Sequence, residues 1–549
     1  MTISRAVARR LAIAICIIIV AAVAVASCTI ASKTVVSPPT YFLSPSGNDA
    51  AAGTSPGTAW RTLGRASAAH LIPGSRLLLQ GGGWFIGQLT LGETDAGNPS
   101  DPVTIGSFGH GAATIFNSSG SGIYVYDTAG VDIQDLNVSG RPSPSSGSDG
   151  ITVYSDLPAG HRLAHVVIDD VDVSGFANGI AVGAANQRAG FDAVVISDSY
   201  LDDNVDNGLI TFGPSFDPRS PSYANQDVQV CDVTASQNYG DPLDKANNSG
   251  NGIVLGSVQG GAITWSTTDD NGGAGASVYG PAGMWVYDST GITIEHNLSF
   301  GNKTPNRVDG NGFGLDQNTS DSVMQDNLSY DNYGTGYLVY NPQDNGAQTG
   351  NVVRDNVSSG DVRDGNSFYA GITVIGWVKD AAVYQNTVVM APSRTAGPSP
   401  LRISASLRGV SVRDNIFSAS SGPVVVTNTA PGLSSVQLQG NDYFSASGPW
   451  QLAWGPVRYH SLAAWRASTM EEIVHRKASG IAVNPGLAGP VLGLQVQTAT
   501  DTRVRANFTP RPGSAVVGAG VNLASLGPDP AAGSGAAAPS ASHPDIGAG

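Results

Sequence analysis

The chain has 549 residues, 70 of them glycine, and only 13% are charged. Acidic residues outnumber basic ones 43 to 28, a formal net charge of −15 that argues against nucleic acid, whose phosphates need a basic footprint. The same charge repels a polyanionic glycan unless a divalent cation or a local basic patch intervenes, and the glycine content suits a chain that turns often rather than a helical one.

The N-terminus reads as an export signal: Arg5, Arg9 and Arg10 precede an almost unbroken apolar run from Leu11 to Val25. It ends in Val25-Ala26-Ser27-Cys28, which resembles the lipobox of bacterial lipoproteins. That resemblance implies lipidation of Cys28, a tether over 28–40, and a folded part anchored to a membrane outer face, with plain secretion as the alternative. Of the remaining cysteines, Cys16 lies in the leader and Cys231, in a strand-like run, reads as a small core residue, so no disulfide framework is expected.

After Tyr41-Phe42-Leu43 comes a helical-looking stretch from Ala59 to Leu71, stopped by Pro73-Gly74, then a first strand at Arg76–Gln80. A helix covering an open β edge is what the end of a solenoid requires. Beyond residue 120, segments of the form Gly-apolar-x-apolar start at Gly122, Gly150, Gly179, Gly208, Gly252, Gly283, Gly312, Gly336 and Gly371. Their spacings are 28, 29, 29, 44, 31, 29, 24 and 35, a period near 29 with one large insertion. Period-2 patterning turns the first and third residues after each Gly inward. A second strand family interleaves, including Gly291-Ile292-Thr293-Ile294. Its late members end in Asn297, Asn327, Asn356, Asn386, Asn415 and Asn441, a row that suggests an Asn ladder at one corner. One repeat cannot bury its apolar face alone, whereas a stack makes a continuous core. Near the C-terminus Ser461 to Lys477 reads as a helix packing across the end, and 527–542 as a flexible Ala/Pro/Gly/Ser-rich loop.

These repeats, the opening Ser44-Pro45-Ser46-Gly47-Asn48-Asp49 and the ending Asp545-Ile546-Gly547-Ala548 resemble the right-handed parallel β-helix proteins of the pectate-lyase-like superfamily. The resemblance implies an all-β, single-stranded right-handed parallel β-helix (a solenoid) with a short N-terminal capping helix and a C-terminal helical and loop cap. The expected division is a lipoprotein-type signal peptide over 1–27, the tether over 28–40, the β-helix over 41–448 and the cap region over 449–549, in a monomer.

The outward positions of the Gly-led strands form columns, because parallel rungs stack roughly 4.8 Å apart. The second position runs through Trp285, Gly314 and Leu338, and the fourth through Tyr287, Asp316 and Tyr340. A carboxylate between aromatic walls, beside the hollow left by Gly314, is how a protein holds a sugar ring. A glycosidase needs a second carboxylate, and Asp309 and Asp288 are nearest by register; close spacing predicts retention and wider spacing inversion. Turn duty accounts for Asp309 and Asp288 equally well. In some pectate lyases of the superfamily a strand resembling Gly312-Phe313-Gly314-Leu315 carries a lysine base where Gly314 stands, with Ca²⁺ neutralising a uronate. Lys245, Lys303 and Arg307 lie only in loops, so the lysine route is weakened. The Asp202-Asp203-Asp206 and Asp269-Asp270 groups lack an EF-hand spacing and read as turn carboxylates, and the eight histidines show no zinc-ligand spacing. The expectation is an exported carbohydrate-active enzyme that hydrolyses a polysaccharide or cell-envelope glycan. The alternatives are a polysaccharide lyase, for which Ca²⁺ would be the cofactor, and a non-catalytic glycan-binding surface protein.

Overall fold

In the computed structural model, residues 37–141, 147–392, 397–404, 406–523 and 544–548 are described. The leader, Cys28, most of the tether and the 527–542 loop lie outside them. The chain coils into a parallel β-solenoid of about 13 turns. Each complete turn carries three strands, as in Ala282–Tyr287, Thr290–Glu295 and Leu298–Phe300. The next turn repeats them with Asn311–Leu315, Val323–Gln325 and Leu328–Tyr330. The nine Gly-led strands lie in one 14-stranded sheet, parallel until its last pair, while the other two sets share a 25-stranded sheet.

The period-2 pattern sets this arrangement. Ile123, Val125, Ile151, Val153, Met284, Val286, Phe313, Leu315, Ile372 and Val374 are fully buried and belong to one continuous core. Burying such side chains contributes about 1.5–3 kcal/mol each, which no isolated turn could collect.

The corners share a two-residue device. His296, Asp326, Asp355, Gln385 and Asp414 take positive φ, and the next residue is a ladder asparagine. The left-handed bend thus belongs to the residue before each Asn, and the Asn supplies the amide. Asn297, Asn327, Asn356, Asn386, Asn415 and Asn441 pass Nδ2 to the Oδ1 of the next at 2.8–3.1 Å, and Asn441 passes its own to Glu472 Oε1 at 2.9 Å. A second buried ladder runs Asn204, Asn238, Asn271, Asn302, Asn332 and ends on Asp361 Oδ1. Each ladder closes on a carboxylate because the last amide donor still needs an acceptor.

Three local expectations change. The N-terminal helix covers only Leu63–Ser67, because Ala59 and Trp60 stay extended to bridge Leu43 and Thr62 caps the helix through Arg65 N. The C-terminal helix is Leu462–Thr469, capped by Ser461 and stopped by Met470 in the left-handed region. There the chain turns so that Glu471 and Glu472 reach the solenoid end. Trp465 packs on Tyr443 and Trp454, closing the last turn. Cys231 is half-buried at an outward position, while its neighbour Val230 takes the core place. The chain beyond the helix runs back along the third strand set, where Leu494, Val496 and Phe508 cover Leu298, Leu328 and Val357.

Candidate functional site

The Gly-led sheet places the proposed columns in register. Val254, Trp285, Gly314, Leu338 and Thr373 are successive partners. The Asp316 N–H donates to Val286 O at 2.8 Å, so Asp316 continues the strand beyond Leu315 and falls beside Tyr340. A Cβ built on Gly314 meets the Trp285 Cβ at 3.3 Å and the Leu338 Cβ at 3.9 Å, so the space beside this buried glycine is walled on both sides.

The two aromatic residues of the preceding rung lean away from Asp316. Tyr287 lies over Gly256, where a Cβ would come within 2.2 Å of its ring. Trp285 Nε1 donates to Asn251 Oδ1 at 3.0 Å, and the two rings contact each other at 5.1 Å. They form a wall on the N-terminal side of the hollow, continued on the same face by the stacked rings of Tyr126, Tyr154 and Phe212.

The charge of Asp309 acts on Asp316, and Asp288 has a different duty. Burial first, and then the charge of Asp309, push Asp316 up to about 7; an N–H from Gln317 at 2.6 Å to Oδ1 opposes this. Asp309 is also raised by burial, against three donors: Asn311 Nδ2 at 2.9 Å and the Tyr369 hydroxyl at 2.9 Å to Oδ1, and Gly280 N at 3.1 Å to Oδ2. Those donors oppose the burial penalty at Asp309 without cancelling it. Tyr340 joins the cluster, its phenol raised by burial and then by the charges of Asp316 and Asp309. Asp288 takes positive φ and accepts from Asn318 Nδ2 at 2.6 Å; it shapes a turn and adds only a smaller push to Asp316. Asp309 also has positive φ, whereas Asp316 is absent from the left-handed residues.

Tyr369 carries no periodic signal in the sequence because it lies in the loop before Ala370–Gly376, 60 residues from Asp309. Only the stacking of rungs brings them together. Lys303 pairs with Asp270 at 2.6 Å and Arg307 with Asp364 at 3.8 Å, so both are engaged by other carboxylates. Glu295 accepts from Gln325 on the second strand set, away from this face. Among the described residues no group of three or more His, Cys, Asp or Glu side chains is arranged to hold a metal ion.

Residues 243–388 match the family model described as "Right handed beta helix region". No curated protein matches the sequence. Among solved structures, a GH136 lacto-N-biosidase from Eubacterium ramulus is similar at 15% identity and TM-score 0.48, over 68% of this chain and 65% of that one. The chain therefore spans about 65% of that protein's length. Pectate lyase Pel9A is similar at 15% identity and TM-score 0.38, over 93% of this chain and 96% of that one. The A-module of the Azotobacter vinelandii mannuronan C-5 epimerase AlgE4 follows at 14% and 0.38, over 70% and 90%. The three differ in activity, and likeness at this level selects none of them. The chain has the fold of a right-handed parallel β-helix, as its repeats and their resemblance imply.

Proposed function

We propose that the protein is a glycan-cleaving hydrolase that uses Asp316 as general acid and Asp309 as its ionised partner. The observation that carries this reading is the pair itself: Asp316 is pushed up to about 7 by burial and by Asp309, while Asp309 is held by three donors. A carboxyl that keeps its proton near neutrality can protonate the leaving glycosidic oxygen. The Asp309 carboxylate then meets the anomeric carbon or the attacking water, in the role that the separation of the two groups sets. Water supplies a proton and a hydroxyl to the two new ends. A sugar ring in the Gly314 hollow has Trp285 as its apolar wall. Gly314 in place of a lysine leaves the elimination route without its base on this strand.

Incubation with a panel of polysaccharides followed by product analysis tests the reading. New reducing ends without ultraviolet-absorbing unsaturated sugars support it; unsaturated ends indicate a lyase, and binding without turnover a non-catalytic module. In this reading the leader and Cys28 deliver the enzyme to a membrane outer face. Membrane fractionation of a Cys28→Ser variant checks that, and a variant retained as fully as wild type counts against lipidation.

A further inference from the structure

Three rungs beyond Gly314, the same outward row reaches an arginine. Gly314 pairs with Leu338, Leu338 with Thr373, and Thr373 with Arg402. The row continues through Val426 and Ala453 to Arg458. Arg402 and Arg458 both line a cavity of about 480 Å³ whose wall includes Phe368 and Tyr369. Tyr369 is the residue that donates to Asp309, so cavity and acid pair share a side chain.

Arg402 is only 8% exposed. Its Nη1 donates to Ser367 O and its Nη2 to Asn428 Oδ1, both at 3.0 Å, and its guanidinium lies 5.3 Å from the Phe368 ring centroid. Two of five N–H donors are therefore accounted for, both by neutral acceptors. Among the described residues no carboxylate is paired within 4 Å with Arg402 or Arg458, whereas Arg219, Arg307, Arg363, Arg408, Arg503 and Arg505 are each paired with an aspartate. Burial lowers the Arg402 pKa, and no acidic neighbour raises it back. A buried cation without a counter-charge is costly, and in a chain of net charge −15 acidic partners are not scarce. The fixed fork of a guanidinium suits a planar oxyanion, and the half-exposed Phe368 beside it offers a face to a sugar ring.

We propose that this cavity is an oxyanion subsite, which binds one carboxylate or sulfate substituent on a sugar of an otherwise neutral glycan. The proposal rests on the reading of the Asp316 groove as a glycan site. Three rung spacings put Arg402 roughly 14 Å along the sheet from Gly314, so the acidic sugar lies several units from the bond that is cut. The row between them, Gly314, Leu338 and Thr373, is neutral, and so is the aromatic wall beyond Trp285. A polyanion would therefore meet one positive pocket and otherwise a negative protein, whereas a glycan with a single acidic unit meets a match.

Ligand-observed NMR with glucuronate, inorganic sulfate and glucose tests this on wild type, Arg402→Gln, Arg458→Ala and Asp316→Asn. Glucuronate or sulfate is expected to bind wild type and Asp316→Asn equally, and glucose not at all; which anion binds tells carboxylate from sulfate. Arg402→Gln should weaken anion binding at least 10-fold and Arg458→Ala about 3-fold. Arg458 is exposed, so its variant keeps the fold even where Arg402→Gln does not. No anion binding, or binding unchanged in Arg458→Ala and in a folded Arg402→Gln, overturns the subsite. Tighter binding of polygalacturonate than of a singly acidic oligosaccharide overturns the single-charge claim. Anion binding without glycan cleavage keeps the subsite and sinks the hydrolase reading, and cleavage indifferent to an acidic unit does the reverse.

Discussion

The Tyr369 hydroxyl accepts the backbone N–H of Asp309 at 2.8 Å and donates to Asp309 Oδ1 at 2.9 Å. One phenol thus holds both the backbone and the carboxyl group of Asp309. Its ring belongs to the wall of the arginine cavity, so the two parts of the groove are mechanically joined.

Tyr369→Phe removes a donor that lowers the Asp309 pKa. With burial still raising it, Asp309 should ionise at higher pH, so the acid limb of the rate profile moves upward. The expected fall in kcat/KM is about 10-fold, corresponding to about 1.4 kcal/mol for one hydrogen bond to a charged group. An unmoved acid limb would show that Tyr369 serves folding alone.

Asp309→Asn tests the coupling in the other direction. After burial, the Asp309 charge is the largest cause holding Asp316 at about 7, so its removal should lower the Asp316 pKa. A group whose folded pKa is raised is protonated below about 7, and general-acid activity is lost as pH rises through that value. In Asp309→Asn that loss should come at lower pH, read from residual activity or from the carboxyl infrared band. An upward or absent shift would mean that the two groups do not interact. The same raised pKa makes the folded state bind more protons than the unfolded chain between the ordinary aspartate value and about 7. This group's contribution to stability therefore declines across that window as pH rises.

Much of the fold was legible because its rule is short. Inward pairs such as Phe313/Leu315 recur with a 29-residue period, and the six ladder asparagines sit in register in the sequence itself. The third strand of each turn was not legible. Strands such as Leu298–Phe300 and Val357–Ser359 have three residues, too few for a period-2 pattern to stand out. The second ladder, from Asn204 to Asp361, follows those short strands and was hidden with them. At the site, Gly314, Trp285 and Asp316 followed from register. Tyr369 and Arg402 did not, because one sits in a loop and the other in a strand, Ser399–Ile403, that lacks the leading glycine.

The ladder closure at Glu472 makes a separate prediction about stability. Its carboxylate accepts from Gly440 N, Asn441 N, Asn441 Nδ2, Tyr443 Oη and Ser479 Oγ. Glu472→Ala leaves several buried donors unpaired at once and should cost about 3 kcal/mol, or more, in denaturant unfolding. A change below about 1 kcal/mol would mean that the last rung relaxes without its cap.

The most direct test of the central claim is the turnover of Asp316→Asn against wild type on whichever glycan the panel identifies, with binding measured alongside. Asn keeps the size of the side chain and removes the transferable proton. The expected result is a fall in kcat of at least about 100-fold, the lower range of general acid catalysis, with glycan affinity within a few-fold of wild type. Full turnover in Asp316→Asn would contradict the assignment of the reaction to this carboxylate pair.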